Sequence, residues 1–249
     1  MLILGIDTAT PWGSLALAED DELIFEVSLK VAKGGGEYLI SIMDRLFEKA
    51  GRRLADLTLI ATGVGPGSYT GIRVGLATVA GLAEALAIPV FGINTLRIVA
   101  ENARYNKKGV AVALDARRGE VYGAFYQCET AGVKEILTPQ AIKAEQFAVN
   151  LKGYEGVILC GDGGKRYRDV FERVTGLEIA PERWDRPLAG LAIEVARQEW
   201  RGPETAELRS LIPEYLKKVE AEIRLEEKLG GANSSGANVC RGPGGCTGN

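Results

Sequence analysis

An apolar strand that runs through a glycine-rich turn into a nearly uncharged helix constrains the fold of this chain more than any other feature. Residues 57–65 have the length and apolar content of a buried strand. The turn at 65–68 leads into a helix predicted from about Thr70 to Leu86, in which Arg73 and Glu84 are the only charged residues. A helix with so few charges needs cover on more than one side, so we expect it to contact both its own sheet and a helix of another subunit.

Two glycines in this helix add a second constraint. Gly71 and Gly75 lie one turn apart, and glycine in a helix costs about 1 kcal/mol per position relative to alanine. Their presence therefore predicts the close approach of another backbone. The window from Val74 to Gly92 is the longest apolar one, but it contains Glu84, so we interpret it as a buried helix running into a strand and not as a membrane span.

The elements around this segment follow a regular order. Strands over 2–8, 14–20 and 22–30 are joined by tight connections and predict an antiparallel meander. Apolar residues at helical spacing predict an amphipathic helix over 37–50. A strand at 88–93 is followed by Asn94, a plausible N-cap for the next helix. The order βββαβαβ places the chain in the α/β class.

From about residue 108 the pattern restarts as a second, smaller mixed unit. Its predicted elements are two strands around a charged turn at 115–120, a strand at 136–139, a helix at 141–151, a strand at 156–161, and helices at 165–174, 187–200 and 217–229. We therefore predict an N-terminal subdomain over 1–104 and a smaller C-terminal subdomain over 105–229, whose last helices return to the first. Residues 230–249 are rich in glycine, serine and asparagine and are predicted to be a disordered tail.

The complete absence of histidine excludes several kinds of active site. Among 249 residues there is no histidine, so the chain has no Ser-His-Asp triad, Cys-His pair, HExxH zinc site or imidazole base. Cys128 and Cys160 lie in apolar stretches, which is typical of small buried residues. Cys240 and Cys246 lie in the tail, as free thiols or as an adventitious disulfide. No metal site is predicted.

Charge and the N-terminal sequence suggest where the chain works. The formal net charge is −3, so no overall basic excess indicates nucleic-acid binding, although a local patch remains open. The first ten residues lack the basic and cleavage regions of a signal peptide. We expect a cytoplasmic protein without membrane contact.

Two segments have the residue types of an anion site. Asp7 and Thr8 end the first strand, where hydroxyls and amides either face a phosphate or cap a local turn. Residues 63–71 (GVGPGSYTG) place backbone amides at a helix N-terminus. They match neither the Walker loop nor the dinucleotide fingerprint, so a simple tight turn is the alternative.

Two weaker motifs lie in the second unit. Arg117 and Arg118, in the turn DARRGEVY, either grip a phosphate or carboxylate or form a solvated turn with local ion pairs, and the sequence favours the latter. The turn at 161–163 (GDG) is a weak anion-binding candidate.

The apolar stripes of the first two helices have two interpretations. They either cover the chain's own sheet or dock on a partner as a helix bundle. For the docking alternative we predict that the contact uses Leu39, Ile42, Met43, Leu46, Val74 and Thr78.

Four segments in this order resemble the TsaB family, also called YeaZ. They are ILGIDTAT, GVGPGSYTGIRVGLATVAGLA, DARRGEVY and PEYLKK, and the resemblance covers about residues 1–218. It implies the actin/Hsp70/sugar-kinase-like (ASKHA) fold, with two subdomains built on βββαβα-type mixed sheets. It also implies a noncatalytic scaffold and activator that forms a complex with the catalytic paralogue TsaD and the ATPase TsaE. In that family the complex transfers threonylcarbamoyl to the adenosine next to the anticodon of tRNAs that read codons starting with A.

The resemblance also suggests roles for individual residues. The first two helices would dock on TsaD in a four-helix arrangement, or pair with a second copy as a homodimer when TsaD is absent. A remnant nucleotide-facing cleft would be lined by Asp7, Thr8, Gly67, Ser68 and Thr70. The chain would hold no cofactor of its own, and ATP or ADP would bind, if at all, at the interface of the complex. Family members often carry His-Ser-Glu where this chain has Gly35-Gly36-Glu37.

Two rival functions remain at this point. An autonomous ASKHA-fold ATPase or small-molecule kinase would turn over ATP alone, but no second phosphate loop or adenosine motif is evident. A peptidase would need a mechanism without histidine, and no residue spacing suggests one.

Overall fold

The computed structural model describes residues 1–30, 37–105, 108–202 and 211–217. Residues 1–216 form one compact unit, and of a second unit, 217–249, only Lys217 is described. The described residues form ten strands: β1 Leu2–Asp7, β2 Trp12–Glu19, β3 Glu22–Lys30, β4 Leu59–Gly65, β5 Val90–Asn94, β6 Gly109–Asp115, β7 Glu120–Glu129, β8 Gly132–Lys143, β9 Val157–Cys160 and β10 Glu178–Ile179.

Seven helices connect these strands in the described part of the chain. They are α1 Glu37–Ala50, α2 Tyr69–Leu86, α3 Thr95–Glu101, α4 Ala144–Asn150, α5 Asp162–Arg166, α6 Arg168–Thr175 and α7 Ala189–Glu199. The predicted helix over 217–229, the predicted tail with Cys240 and Cys246, and the Gly35-Gly36 departure lie outside the described residues.

The first sheet has the strand order β3-β2-β1-β4-β5. The first three strands pair antiparallel, which confirms the predicted meander. Because β1, β4 and β5 run parallel, their carboxyl ends meet at one edge of the sheet. Ligands of open α/β sheets bind at that kind of edge.

Helices cover both faces of this sheet because β1 is apolar along its whole length. Leu4 and Ile6 pack into a core with Met43 of α1 and Val79 of α2. Ile3, which points to the opposite face, packs against the α7 residues Ala189, Ala192, Ile193, Val195 and Ala196. A helix that follows the second sheet in the chain therefore packs on the first.

The second sheet has the order β10-β9-β6-β7-β8. Its strand β6 alternates in the same way: Val110 and Val112 pack with α3, whereas Ala111 and Ala113 pack with α4 and α6. Residues 1–216 are described as one compact unit. The predicted division into subdomains at residue 104 stays a prediction.

Three local predictions for the second unit were wrong. The strand predicted over 136–139 is part of the longer strand β8. It is longer because its pairing with β7 continues past two irregularities in register. Residues 141–143 therefore belong to that strand and not to α4. The predicted helix at 165–174 is two helices, α5 and α6, separated at Tyr167, where the backbone leaves the helical region (φ −110°, ψ 31°).

The apolar window from Val74 to Gly92 is a helix followed by a strand, as predicted. Within the described ranges, no helix combines the length and the hydropathy that crossing a membrane would require.

Candidate functional site

The candidate site lies where β1, β4 and β5 end and the helices α2 and α3 begin. β1 ends at Asp7, β4 at Gly65 and β5 at Asn94. The Asn94 side chain accepts a hydrogen bond from the amide of Leu96 at 2.8 Å, which confirms the predicted N-cap of α3. This edge brings together the two segments that the sequence analysis singled out separately.

Asp7 is the only acid of the first anion motif, and it is completely buried. Its Oδ1 accepts from the amide of Ala9 at 2.9 Å and its Oδ2 from the hydroxyl of Thr95 at 3.0 Å. Burial raises the pKa of this carboxyl to about 7, against the two hydrogen bonds, which lower it. Because Asp7 has no exposed surface, its predicted contact with a ligand is disfavoured.

The start of α2 presses directly on the segment after β1. Added Cβ atoms at Gly67 and Gly71 would lie 2.0 Å from the carbonyl oxygen of Ala9 and 2.1 Å from that of Thr8. At Gly75 the added atom would lie 2.3 Å from the Oγ1 of Thr8. The close backbone approach predicted from the helix glycines is therefore confirmed, and the approaching backbone belongs to the chain itself.

The polar groups of this junction are largely used inside the chain. The Thr8 hydroxyl donates to the carbonyl of Gly71 at 2.7 Å, and the amide of Ser68 donates to Ala9 at 2.6 Å. Ser68 caps α2 by accepting from the amide of Gly71 at 3.3 Å. Of the five residues predicted to face a nucleotide, only Ser68 and Thr70 are exposed. For the set as a whole, nucleotide contact stays a prediction.

The segment 211–216 lies against the same turn, a contact that was not predicted from the sequence. The amide of Glu214 donates to the carbonyl of Val64 at 2.9 Å, and its carboxylate accepts from Asn94 at 2.5 Å. Tyr215 packs on Tyr69 with ring centroids 5.1 Å apart. The motif PEYLKK was the available signal, but nothing in its spacing indicates where it docks.

In the second sheet, the turn between β6 and β7 is organised by one buried carboxylate. Asp115 Oδ1 accepts from the Tyr167 hydroxyl at 3.1 Å and from the amide of Arg117 at 3.0 Å. Its Oδ2 lies 3.4 Å from Arg166 and 3.7 Å from the side chain of Arg117. The local ion pairs that the sequence favoured are present, and Arg166 and Tyr167 are additions that only the packing of α5 reveals.

Comparison with known proteins identifies the family of this chain. The family described as TsaD, tRNA N6-adenosine threonylcarbamoyltransferase, matches residues 30–225. The tRNA threonylcarbamoyladenosine biosynthesis protein TsaB of Escherichia coli is 31% identical over 233 residues, which cover 92% of this chain and 100% of that protein. The chain belongs to the TsaB family. The TsaB of Bacillus subtilis is 29% identical over 90% of this chain and 97% of its own length.

A solved structure of the TsaB family has the same architecture. YeaZ from Pseudomonas aeruginosa superposes with a TM-score of 0.76 at 27% identity, covering 86% of this chain and 99% of that one. Together with the two mixed sheets, this confirms the predicted ASKHA fold.

The predicted docking residues of the TsaB-family helices divide into two groups. Leu39 and Met43 are 8% and 2% exposed and belong to the chain's own core, so little of their surface is left for a partner. The remaining four, Ile42, Leu46, Val74 and Thr78, are half-buried. Ile40 of α1 was not among the predicted docking residues and is 61% exposed.

The outer face of α2 is small and apolar. Ala77, Gly81 and Ala85 are exposed at successive turns, and a Cβ added at Gly81 would meet nothing within 4 Å. In the described part of the chain, no three side chains of Cys, Asp and Glu are grouped as a metal site would require.

Proposed function

We propose that this chain is a noncatalytic subunit of the tRNA threonylcarbamoyladenosine machinery, which docks on the catalytic TsaD protein through α1 and α2 and works with the ATPase TsaE in the cytoplasm. Membership of the TsaB family supports the pathway, since the relatives are named for tRNA threonylcarbamoyladenosine biosynthesis. The complex would modify the adenosine next to the anticodon in tRNAs reading codons that start with A.

The observation that carries the docking proposal is the exposed face of α2. Between Arg73 and Glu84 the helix has no charged residue, and the exposed residues of this stretch are Ala77 and Gly81. Small residues on such a face let two helix backbones approach closely. Ile40, Ile42 and Leu46 of α1 and Val74 and Thr78 of α2 would complete the contact.

The noncatalytic role is supported by the chemistry of the candidate site. The chain has no histidine, and the side chains of Asp7 and Thr8 already form hydrogen bonds within the chain, Asp7 with Ala9 and Thr95 and Thr8 with Gly71. ATP or ADP would then act at the interface of the complex, and Ser68 and Thr70 are the predicted residues still exposed to reach it. An autonomous ATPase or kinase is the alternative, and ATP turnover by the isolated chain would favour it.

Replacement of Gly81 by arginine tests the docking face. We expect Gly81→Arg to abolish co-purification with the TsaD protein of the same organism, because the guanidinium would separate the two helices. The isolated chain should fold normally, since the position is open. Gly81→Ala should raise the free energy of unfolding by about 1 kcal/mol and weaken capture less than arginine does.

Val149→Arg is the matched control, because Val149 is an exposed apolar residue on α4, the helix that packs on the second sheet. It should capture TsaD like the unaltered chain, with circular dichroism confirming that each variant is folded. Equal capture by Gly81→Arg would remove the α2 face from the proposal. Failure of the unaltered chain to capture TsaD would contradict the proposed function. Homodimers that Gly81→Arg disperses would show that the same face pairs two copies when TsaD is absent.

A further inference from the structure

A strip of basic side chains runs between two places in the fold. One is the paired ends of β2 and β3 at Trp12 and Lys30, and the other is the turn between β6 and β7. At one end the Arg186 guanidinium lies 3.6 Å from the centroid of the Trp12 ring, and Lys30 lies 6.0 Å from the same centroid. At the other end, Arg166 and Arg117 share the Oδ2 of Asp115. These four cations, together with Lys165, are named the basic strip.

The two ends are joined by a continuous series of contacts. Asp162 Oδ1 accepts from the amide of Asp115 at 2.9 Å, and the neighbouring Gly161 amide donates to Asp185 at 2.8 Å. Asp185 forms an ion pair with Lys165 and directly precedes Arg186 in the chain. The Arg186 carbonyl is held by the Asn102 side chain at 2.7 Å. The strip is therefore built on fixed backbone.

Two carboxylates of the strip are buried, and two of its arginines are exposed. The carboxylates of Asp115 and Asp185 are 8% and 6% exposed, whereas the side chains of Arg117 and Arg166 are 76% and 55% exposed. With Asp162 included, five cations face three carboxylates. The strip is thus net positive on a chain whose formal charge is −3.

The guanidinium groups of the strip retain hydrogen-bonding capacity. Arg117 and Arg166 approach Asp115 at 3.7 and 3.4 Å, beyond the usual 2.7–3.2 Å for a hydrogen bond of this kind. Since each guanidinium offers five N–H donors, these side chains suit a ligand rich in phosphate oxygens.

We infer that the basic strip contacts the phosphodiester backbone of the tRNA substrate. A free nucleotide would need its donors to converge on one point, whereas these cations are spread along a path that crosses both sheets. Spaced arginines and lysines with an aromatic ring between them are typical of nucleic-acid contact surfaces. The inference rests on the proposed function, because that function supplies the RNA.

Charge removal at the β6–β7 end tests the inference in the complex with TsaD. The probe is an unmodified transcript of a tRNA reading a codon that starts with A, with binding measured by fluorescence anisotropy from about 50 to about 200 mM salt. Arg117→Gln with Arg166→Gln should weaken binding about tenfold at the low-salt end. The slope of log affinity against log salt should fall by roughly 0.7–0.9 for each phosphate that the variant no longer neutralises.

Three further variants make the result specific. Lys30→Gln, at the opposite end of the strip, should also lower the slope, by the amount that one phosphate contributes. Arg117→Lys with Arg166→Lys keeps the charge and should keep most of the slope. Arg52→Gln with Arg53→Gln removes two exposed cations from the region after α1 and should leave tRNA binding unchanged.

The outcomes separate this inference from the proposed function. Two outcomes would overturn the inference that the strip contacts tRNA: unchanged tRNA affinity in the Arg117/Arg166 double variant, or no tRNA binding by the unaltered complex. In either case, capture of TsaD would still support the proposed subunit role. Loss of ATP binding with tRNA binding intact would assign the strip to a nucleotide instead, and would also overturn it.

Discussion

Gly75→Ala should lower the free energy of unfolding by about 2 kcal/mol, and adding Thr8→Ala should restore about half of that loss. The Cβ at position 75 would lie 2.3 Å from the Oγ1 of Thr8, and the next nearest atom is 3.6 Å away. The hydroxyl is held in place by its bond to the carbonyl of Gly71. Removing it opens the space that the new methyl group needs.

The single variants make this a double-mutant cycle. Thr8→Ala alone should cost about 1 kcal/mol for the lost hydrogen bond, so the cycle should show a coupling of about 2 kcal/mol. Gly71→Ala, whose Cβ would lie 2.1 Å from the Thr8 carbonyl oxygen, should be destabilising with or without Thr8→Ala. Urea denaturation followed by circular dichroism measures all four states. Strictly additive losses would mean that α2 is not seated on Thr8.

Asp7→Asn should stabilise the protein at pH 8 and remove a pH dependence present in the unaltered chain. Burial raises the pKa of Asp7 from 3.8 to about 7, so the folded state holds a proton that the unfolded state releases between these values. Stability from this group is therefore fully present below the unfolded pKa and is lost as pH rises towards 7. From pH 5 to pH 8 the loss is about 3 kcal/mol, at about 1.4 kcal/mol per pKa unit.

The measurement is the difference between the variant and the unaltered chain across pH 4–8. Glu26, Asp162, Asp185 and Glu214 also have raised pKa values through burial, and the difference removes their shared contribution. Asp56→Asn is the control, because the hydrogen bond to Arg53 lowers the Asp56 pKa, so this carboxylate contributes no stability that is lost as the pH rises. A difference that does not change with pH would mean that Asp7 is ionised in the folded protein.

These results bear on the proposed function through the α2 junction. If α2 is seated firmly on Thr8 and Ala9, the helix presents its Ala77–Gly81–Ala85 face at a fixed position. A rigid face loses less conformational entropy on docking. In this proposal, the residues predicted to line a nucleotide-facing cleft instead position a surface for TsaD.

Local periodicity was enough to predict the first half of the chain closely. The apolar spacing of 37–50 predicted α1 with the bounds that the structure has, because a 3.6-residue repeat identifies a helix without reference to its neighbours. The same repeat does not indicate whether the apolar face of α1 packs on the chain's own sheet or on a partner. Leu39 and Met43 were predicted at a partner interface together with Ile42 and Leu46, but they pack on the chain's own sheet.

The candidate site was only half predictable for a related reason. Asp7 and the turn at 63–71 were recognised from residue type and from their positions after strands. Thr95, which holds Asp7, and Glu214, which docks beside Val64, are distant in sequence and become neighbours only through strand order. Arg166 likewise reaches Asp115 only because α5 packs beside β6.

The sequence by itself determined the secondary structure from β1 to α3, the lack of any histidine chemistry and, through its motifs, the family. The tertiary structure alone decided that Asp7 is buried, that Gly71 and Gly75 seat α2 on Thr8, and that five basic residues from both halves of the chain form one strip. The physical reason is range: propensity and periodicity act over one or two turns of chain, whereas burial, hydrogen bonding and charge depend on which distant segments become neighbours.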